Sequence, residues 1–90
     1  MRNAKEELWK AMGEKSSDFE GAVIRWAGEK HVFQMHELQK LLRFLNFEYD
    51  AGYGSQELFG FVLLSEGRWL ERKEYDGMEW WEMKKRPTLD

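Results

Sequence analysis

Residues 57–85 read ELFGFVLLSEGRWLERKEYDGMEWWEMKK, and their division into strands decides the fold. Runs rich in Phe, Val, Trp and Tyr suit a pleated, half-buried surface. They are separated by Ser65-Glu66-Gly67 and Tyr75-Asp76-Gly77, each with glycine where a hairpin needs a positive φ. The stretch predicts three antiparallel strands joined by two tight turns. Register then assigns the faces, because a slip of one residue moves every side chain to the other side.

Two registers compete at the second turn. A two-residue loop, Asp76-Gly77, sets Glu71 opposite Glu82 and Glu74 opposite Glu79. A three-residue loop ending at Gly77 sets Lys73 opposite Glu79 and Arg72 opposite Trp80. Cross-strand pairs contribute about 0.2–1 kcal/mol and like charges cost as much, which favours the three-residue loop. The same choice at Gly67 places Leu63 beside Trp69, Val62 beside Leu70 and Gly60 beside Arg72. One face then holds Phe59, Phe61, Leu63, Trp69, Trp81 and Met83, with Glu71, Lys73 and Glu79 among them, and this is the expected core side. The other holds Leu58, Val62, Leu64, Leu70 and Trp80 with Arg68, Arg72, Glu74 and Glu82, and is the expected functional side.

Working outward, residues 3–12 form an amphipathic helix, with Ala4, Leu8, Ala11 and Met12 at helical spacing, Asn3 as N-cap and Gly13 as stop. Glu6 and Lys10 add a favourable pair one turn apart. Residues 14–18 are a polar link. In residues 19–27 two patterns compete. Ser17 and Glu20 have capping-box spacing, and Phe19, Ala22, Val23, Trp26 and Ala27 make a helical stripe. Gly21 opposes a helix, and Val23, Ile24 and Trp26 favour a strand, so a strand hairpin turning near Gly28 into residues 31–34 is expected. Met35, Leu38, Leu41, Leu42 and Leu45 give a second helical stripe over residues 35–45, stopped by a left-handed Asn46. A short strand at residues 47–50 leads into a loop at residues 51–55 carrying Tyr53. Pro87 ends the last strand.

Together these elements predict one α+β domain over residues 1–90, an antiparallel meander of about four to five strands with two α-helices packed on one face. Ninety residues support one modest core, and aromatic residues at 16%, five of them Trp, supply large buried areas. No Cys is present, which removes disulfides and thiolate zinc sites. The absence of an apolar run or leader pattern points to a cytoplasmic protein without a membrane partner. The net charge of −3 disfavours nucleic acid as a general partner.

Catalytic motifs are sparse. His36-Glu37-Leu38-Gln39-Lys40 begins like H-E-x-x-H, but Lys40 stands at the second ligand position, where a cation repels a metal. His31 and His36 are the only histidines. Gly52-Tyr53-Gly54 opens like a dinucleotide fingerprint, yet Glu57 replaces the third glycine and would repel a pyrophosphate. Neither a phosphate loop nor a nucleophile elbow is present. Glu71, Glu74, Glu79 and Glu82 could serve as paired carboxylates only if burial raised a pKa, and a solvated charged face is the simpler reading. No metal or cofactor is expected. The remaining candidates form a protein-binding set, Arg68, Arg72, Glu74, Trp80, Glu82 and Tyr53, residue types enriched where partners dock. Arg72 is expected to stack on Trp80 over the bare backbone of Gly60.

The run GYGSQELFG at residues 52–60, followed by WLERKEYDGMEWWE at residues 69–82, resembles small bacteriophage and prophage proteins, covering roughly the C-terminal half. The resemblance implies a non-enzymatic accessory protein that binds and inhibits a host factor in the bacterial cytoplasm, for example one acting in restriction or CRISPR defence. The alternative is a nucleic-acid-binding accessory protein using aromatics and the basic tail Lys84-Lys85-Arg86. A homodimer through the sheet face fits the same features.

Overall fold

The computed structural model describes residues 2–49 and 56–87. Strand β1 (Arg2–Asn3) leads into helix α1 (Ala4–Met12), and a 3-10 helix at Gly13–Asp18 follows. Then come β2 (Phe19–Trp26), β3 (Glu29–Phe33), α2 (Leu38–Phe44), β4 (Glu48–Tyr49), β5 (Leu58–Leu64), β6 (Arg68–Tyr75) and β7 (Met78–Lys85). The main sheet is fully antiparallel with order β3-β2-β5-β6-β7, and β1 pairs with β4 in a small second sheet. The expected α+β class and meander are therefore present.

Local chemistry sets most boundaries as expected. The Asn3 side chain accepts a hydrogen bond from the Glu6 N–H at 3.0 Å, and Gly13, at φ 55°, closes the C-terminal end of α1 with its N–H on the Trp9 carbonyl. These satisfy backbone groups that a helix end leaves open. Residues 19–26 form a strand, with β2 and β3 joined by Ala27-Gly28, both at positive φ. Helix α2 is shorter than the apolar stripe predicts. The Glu37 N–H bonds the Gln34 carbonyl, and the Glu37 carboxylate takes the Gln34 N–H at 2.7 Å. That closed turn uses the residues that would have been the first helical turn. The expected left-handed stop at Asn46 is also absent, since the non-glycine residues with positive φ among those described are Ala27, Glu66 and Asp76.

The first turn of the meander is as predicted: Leu64 pairs with Arg68, Leu63 with Trp69 and Val62 with Leu70. The second is not. Tyr75 pairs with Met78, so the loop is the two-residue Asp76-Gly77, at φ 52° and 85°, the twist that matches two right-handed strands. Glu74 thus faces Glu79, and Glu71 faces Glu82. The like-charge penalty is avoided because each carboxylate has a partner of its own. Glu71 meets Lys73 at 2.7 Å and Glu82 meets Lys84 at 3.8 Å. Glu74 accepts the Gly77 N–H at 3.1 Å, and Glu79 pairs with Arg72.

On β5 and β6 the covered side is the opposite of the expected one although their register is as predicted, while on β7 the shifted register keeps Trp81 inside and Trp80 outside. Leu58, Val62, Leu64, Leu70 and Trp81 are buried with Ile24, Phe33 and the apolar sides of α1 and α2. The β1–β4 ribbon closes the same layer through Trp26 stacked on Phe47 at 4.2 Å. Phe59, Phe61 and Leu63 point away from both helices and are exposed. Gly60 is needed where β5 meets β2: at φ 141°, an added Cβ would lie 2.1 Å from the Val23 carbonyl oxygen.

Candidate binding face

Both helices cover one side of the sheet, and the side chains of the other side line up in rows set by the pairing. Val32, Val23, Phe61, Glu71 and Glu82 form the middle row. Toward the β5–β6 turn stand Leu63, Trp69 and Lys84. Toward the β2–β3 turn stand Lys30, Arg25 and Phe59 on one half, with Lys73 and Trp80 on the other. Phe59 is 45% exposed, Leu63 42%, and Phe61 and Trp80 each 39%. Large apolar side chains so exposed and so close make a patch that soluble surfaces seldom carry without a partner.

Charges on this face are unevenly compensated. The Lys73 hydrogen bond holds the Glu71 carboxyl below the usual range, and Glu71 in turn raises Lys73. Lys84 sits near Glu82. Arg25 and Lys30 make no ion pair among the described residues. The β6–β7 half is thus close to neutral and the β2–β3 half is cationic.

The expected site residues scatter. Trp80 and Glu82 lie on the open face, as the binding reading requires. Glu74 is exposed at the tip of the second hairpin and stabilises its turn. Arg68 is on the covered side, where it pairs with Asp18 at 2.9 Å and donates to the Ser65 carbonyl, tying the 3-10 helix to the meander. Tyr53 lies outside the described residues.

Arg72 is the clearest correction. Instead of stacking on Trp80 in solvent, its side chain is fully buried. Trp80 pairs with Lys73, and Arg72 with Trp81. The guanidinium bonds Glu7 at 3.1 Å, Glu79 at 3.3 Å and the Tyr49 hydroxyl, and lies over the rings of Tyr49 and Trp81. Glu79 also accepts the backbone N–H groups of Glu57 and Leu58. Arg2 adds a bond to Glu7 at 3.0 Å, so two guanidiniums balance two carboxylates. Burial, followed by the hydrogen bond to Glu7, pushes Tyr49 up to about 12. With its charges matched and Arg72 sealed from solvent, this cluster joins α1, β4, β5, β6 and β7 and leaves little room for a ligand.

Phe59, Phe61, Leu63 and Trp69 were assigned to the core by sequence reasoning and belong instead to the open face. No local signal places them, because their β5–β6 register is as predicted and Asp76-Gly77 fixes only the register of β7. Arg25 and Lys30 were not singled out, and Lys73 entered only through the register argument.

Among the described residues, no three His, Asp or Glu side chains converge to hold a metal, and no helix is long and apolar enough to cross a membrane. His31 packs on Phe44 with ring centroids 4.3 Å apart. No protein-family description matches this chain, and no curated protein or solved structure matches it.

Proposed function

We propose that this protein is a non-catalytic binding module that docks a protein partner on the open face of its five-stranded sheet. The supporting observation is the patch of Phe59, Phe61, Leu63 and Trp80 on the side that neither helix covers. Trp and Phe anchors with a polar surround are the composition of binding hot spots. The phage-protein resemblance of the C-terminal half makes a bacterial host factor the partner and inhibition the outcome. Two tryptophans of that resemblance, Trp69 and Trp80, lie on this face.

Affinity capture from a bacterial lysate with wild type and with Phe61→Glu, followed by calorimetry on the purified captured protein, tests the reading. A partner bound by wild type and lost by more than about tenfold in the variant is expected, since central anchors carry most of the binding energy. Equal affinity for both proteins would move the interface to another surface.

A further inference from the structure

Lys30, Arg25 and Phe59 stand side by side on β3, β2 and β5, and Lys73 stands beside Trp80 on β6 and β7. The two groups flank the point where the β5–β6 ladder ends, at Phe61–Glu71. With paired strands about 4.8 Å apart, Lys30 to Phe59 spans roughly 10 Å. Three cations and two aromatic rings thus form an interrupted row. Arg25, Lys30, Phe59 and Trp80 are exposed, and Lys73 is half-buried.

The row has a recess. A groove of about 460 Å³ lies beside the end of the β5–β6 ladder, lined by Val23, Arg25, Lys30, Phe59, Phe61 and Glu71. Two aromatic rings border it, and the two cations on its rim make no ion pair among the described residues. An occupant that satisfies both features carries flat apolar rings and regularly spaced negative charge. We infer that this row binds single-stranded nucleic acid, with bases stacked on Phe59 and Trp80 and phosphates on Lys30, Arg25 and Lys73.

An open antiparallel sheet displaying aromatics among cations offers stacking without base-specific contacts, because every base has a π-face. The overall charge of −3 opposes this only through nearby acids, Glu57 beside Arg25 and Phe59 and Glu82 near Lys73, since acids beyond a Debye length are screened. Glu71 is the one carboxylate in the groove. It weakens the site twice, by repelling phosphate and by occupying Lys73 at 2.7 Å. The basic tail that the sequence suggested for this role has no part in the row. The row shares Phe59 and Trp80 with the protein-docking patch and differs from it in resting on Arg25, Lys30 and Lys73, so Arg25→Glu with Lys30→Glu tests it separately from Phe61→Glu.

The test uses the full chain with fluorescein-labelled dT12 and rU12, read by anisotropy and by quenching of tryptophan fluorescence at about 25 mM salt. Saturable binding to either oligonucleotide is expected, weakening with log salt at a slope of about −1.4 to −2.1 for two or three phosphates. Arg25→Glu with Lys30→Glu, and separately Phe59→Ala, each reduce affinity by about tenfold or more. Lys5→Glu, on the exposed side of α1 and so across the sheet from the row, leaves it within about twofold. Glu71→Gln tightens binding, a gain that an unfolded variant cannot mimic. Absence of binding to both oligonucleotides at low salt would overturn the inference, as would equal binding by the Arg25→Glu, Lys30→Glu protein. Poly-L-glutamate binding in place of the oligonucleotides would assign the row to an acidic protein segment and overturn it equally.

Discussion

Arg72 and Glu79 face each other from neighbouring strands with 3.3 Å between Nη2 and Oε1, both side chains closed to solvent. The pair lets two charged residues occupy the covered side of the sheet, so it determines which side that is. Removing one member leaves an uncompensated buried charge, which costs far more than the intact pair contributes.

Arg72→Leu is therefore expected to destabilise the fold by about 3–5 kcal/mol, since Glu79 and Glu7 lose their common cation. Arg72→Leu combined with Glu79→Leu should be markedly less damaging than the single change. Urea denaturation of the three proteins checks this, and a single variant no worse than the double would contradict the burial of the pair.

Tyr49 supplies a pH signature. An unfolded tyrosine ionises near 10.0, whereas Tyr49 in the fold is held protonated to about 12 by burial and by its bond to Glu7. Between those values the folded chain keeps a proton that the unfolded chain releases, so stability falls as pH rises through this window. Below it the contribution is fully present. Denaturation midpoints should decline from about pH 10 upward more steeply in wild type than in Tyr49→Phe. Absorbance of the tyrosinate should show one tyrosine titrating late.

Gly60→Ala is expected to cost about 2 kcal/mol or more, combining the strained φ with a Cβ driven into a carbonyl oxygen. The loss should appear as a lower thermal midpoint with an unchanged denaturant slope, because the unfolded chain is little altered.

Phe61→Glu separates the two possible assignments of faces. On an open face it changes stability by no more than about 0.5 kcal/mol. In a core it would cost more than about 3 kcal/mol. Chemical denaturation beside the binding assay shows whether lost binding reflects the surface or the fold.

Much of the architecture was legible in the chain because its determinants are local. Asn3 and Gly13 bound a helix whose apolar residues repeat at helical spacing. Gly21 and the β-branched Val23 and Ile24 mark a strand in place of a competing helical stripe. Glu66-Gly67 and Asp76-Gly77 take the positive φ values that reverse the chain. The helix α2 was overestimated because periodicity extends through Met35, while Glu37 closes a turn with Gln34 that no periodic pattern reveals.

The sequence by itself determined α1, the β2–β3 hairpin, the three meander strands and the Gly67 hairpin, but neither β1 nor the 3-10 helix at Gly13–Asp18, read as a polar link. Tertiary structure alone decided which side of the sheet is covered. Along β5–β7 both alternating sets contain large apolar residues, so period-two patterning cannot rank them. The choice was made by Arg72 and Glu79, which can enter the interior only because Glu7 and Tyr49, far away in the chain, arrive beside them. That arrangement leaves Phe59, Phe61 and Leu63 outside, where a sheet built from this sequence presents its aromatics to a partner.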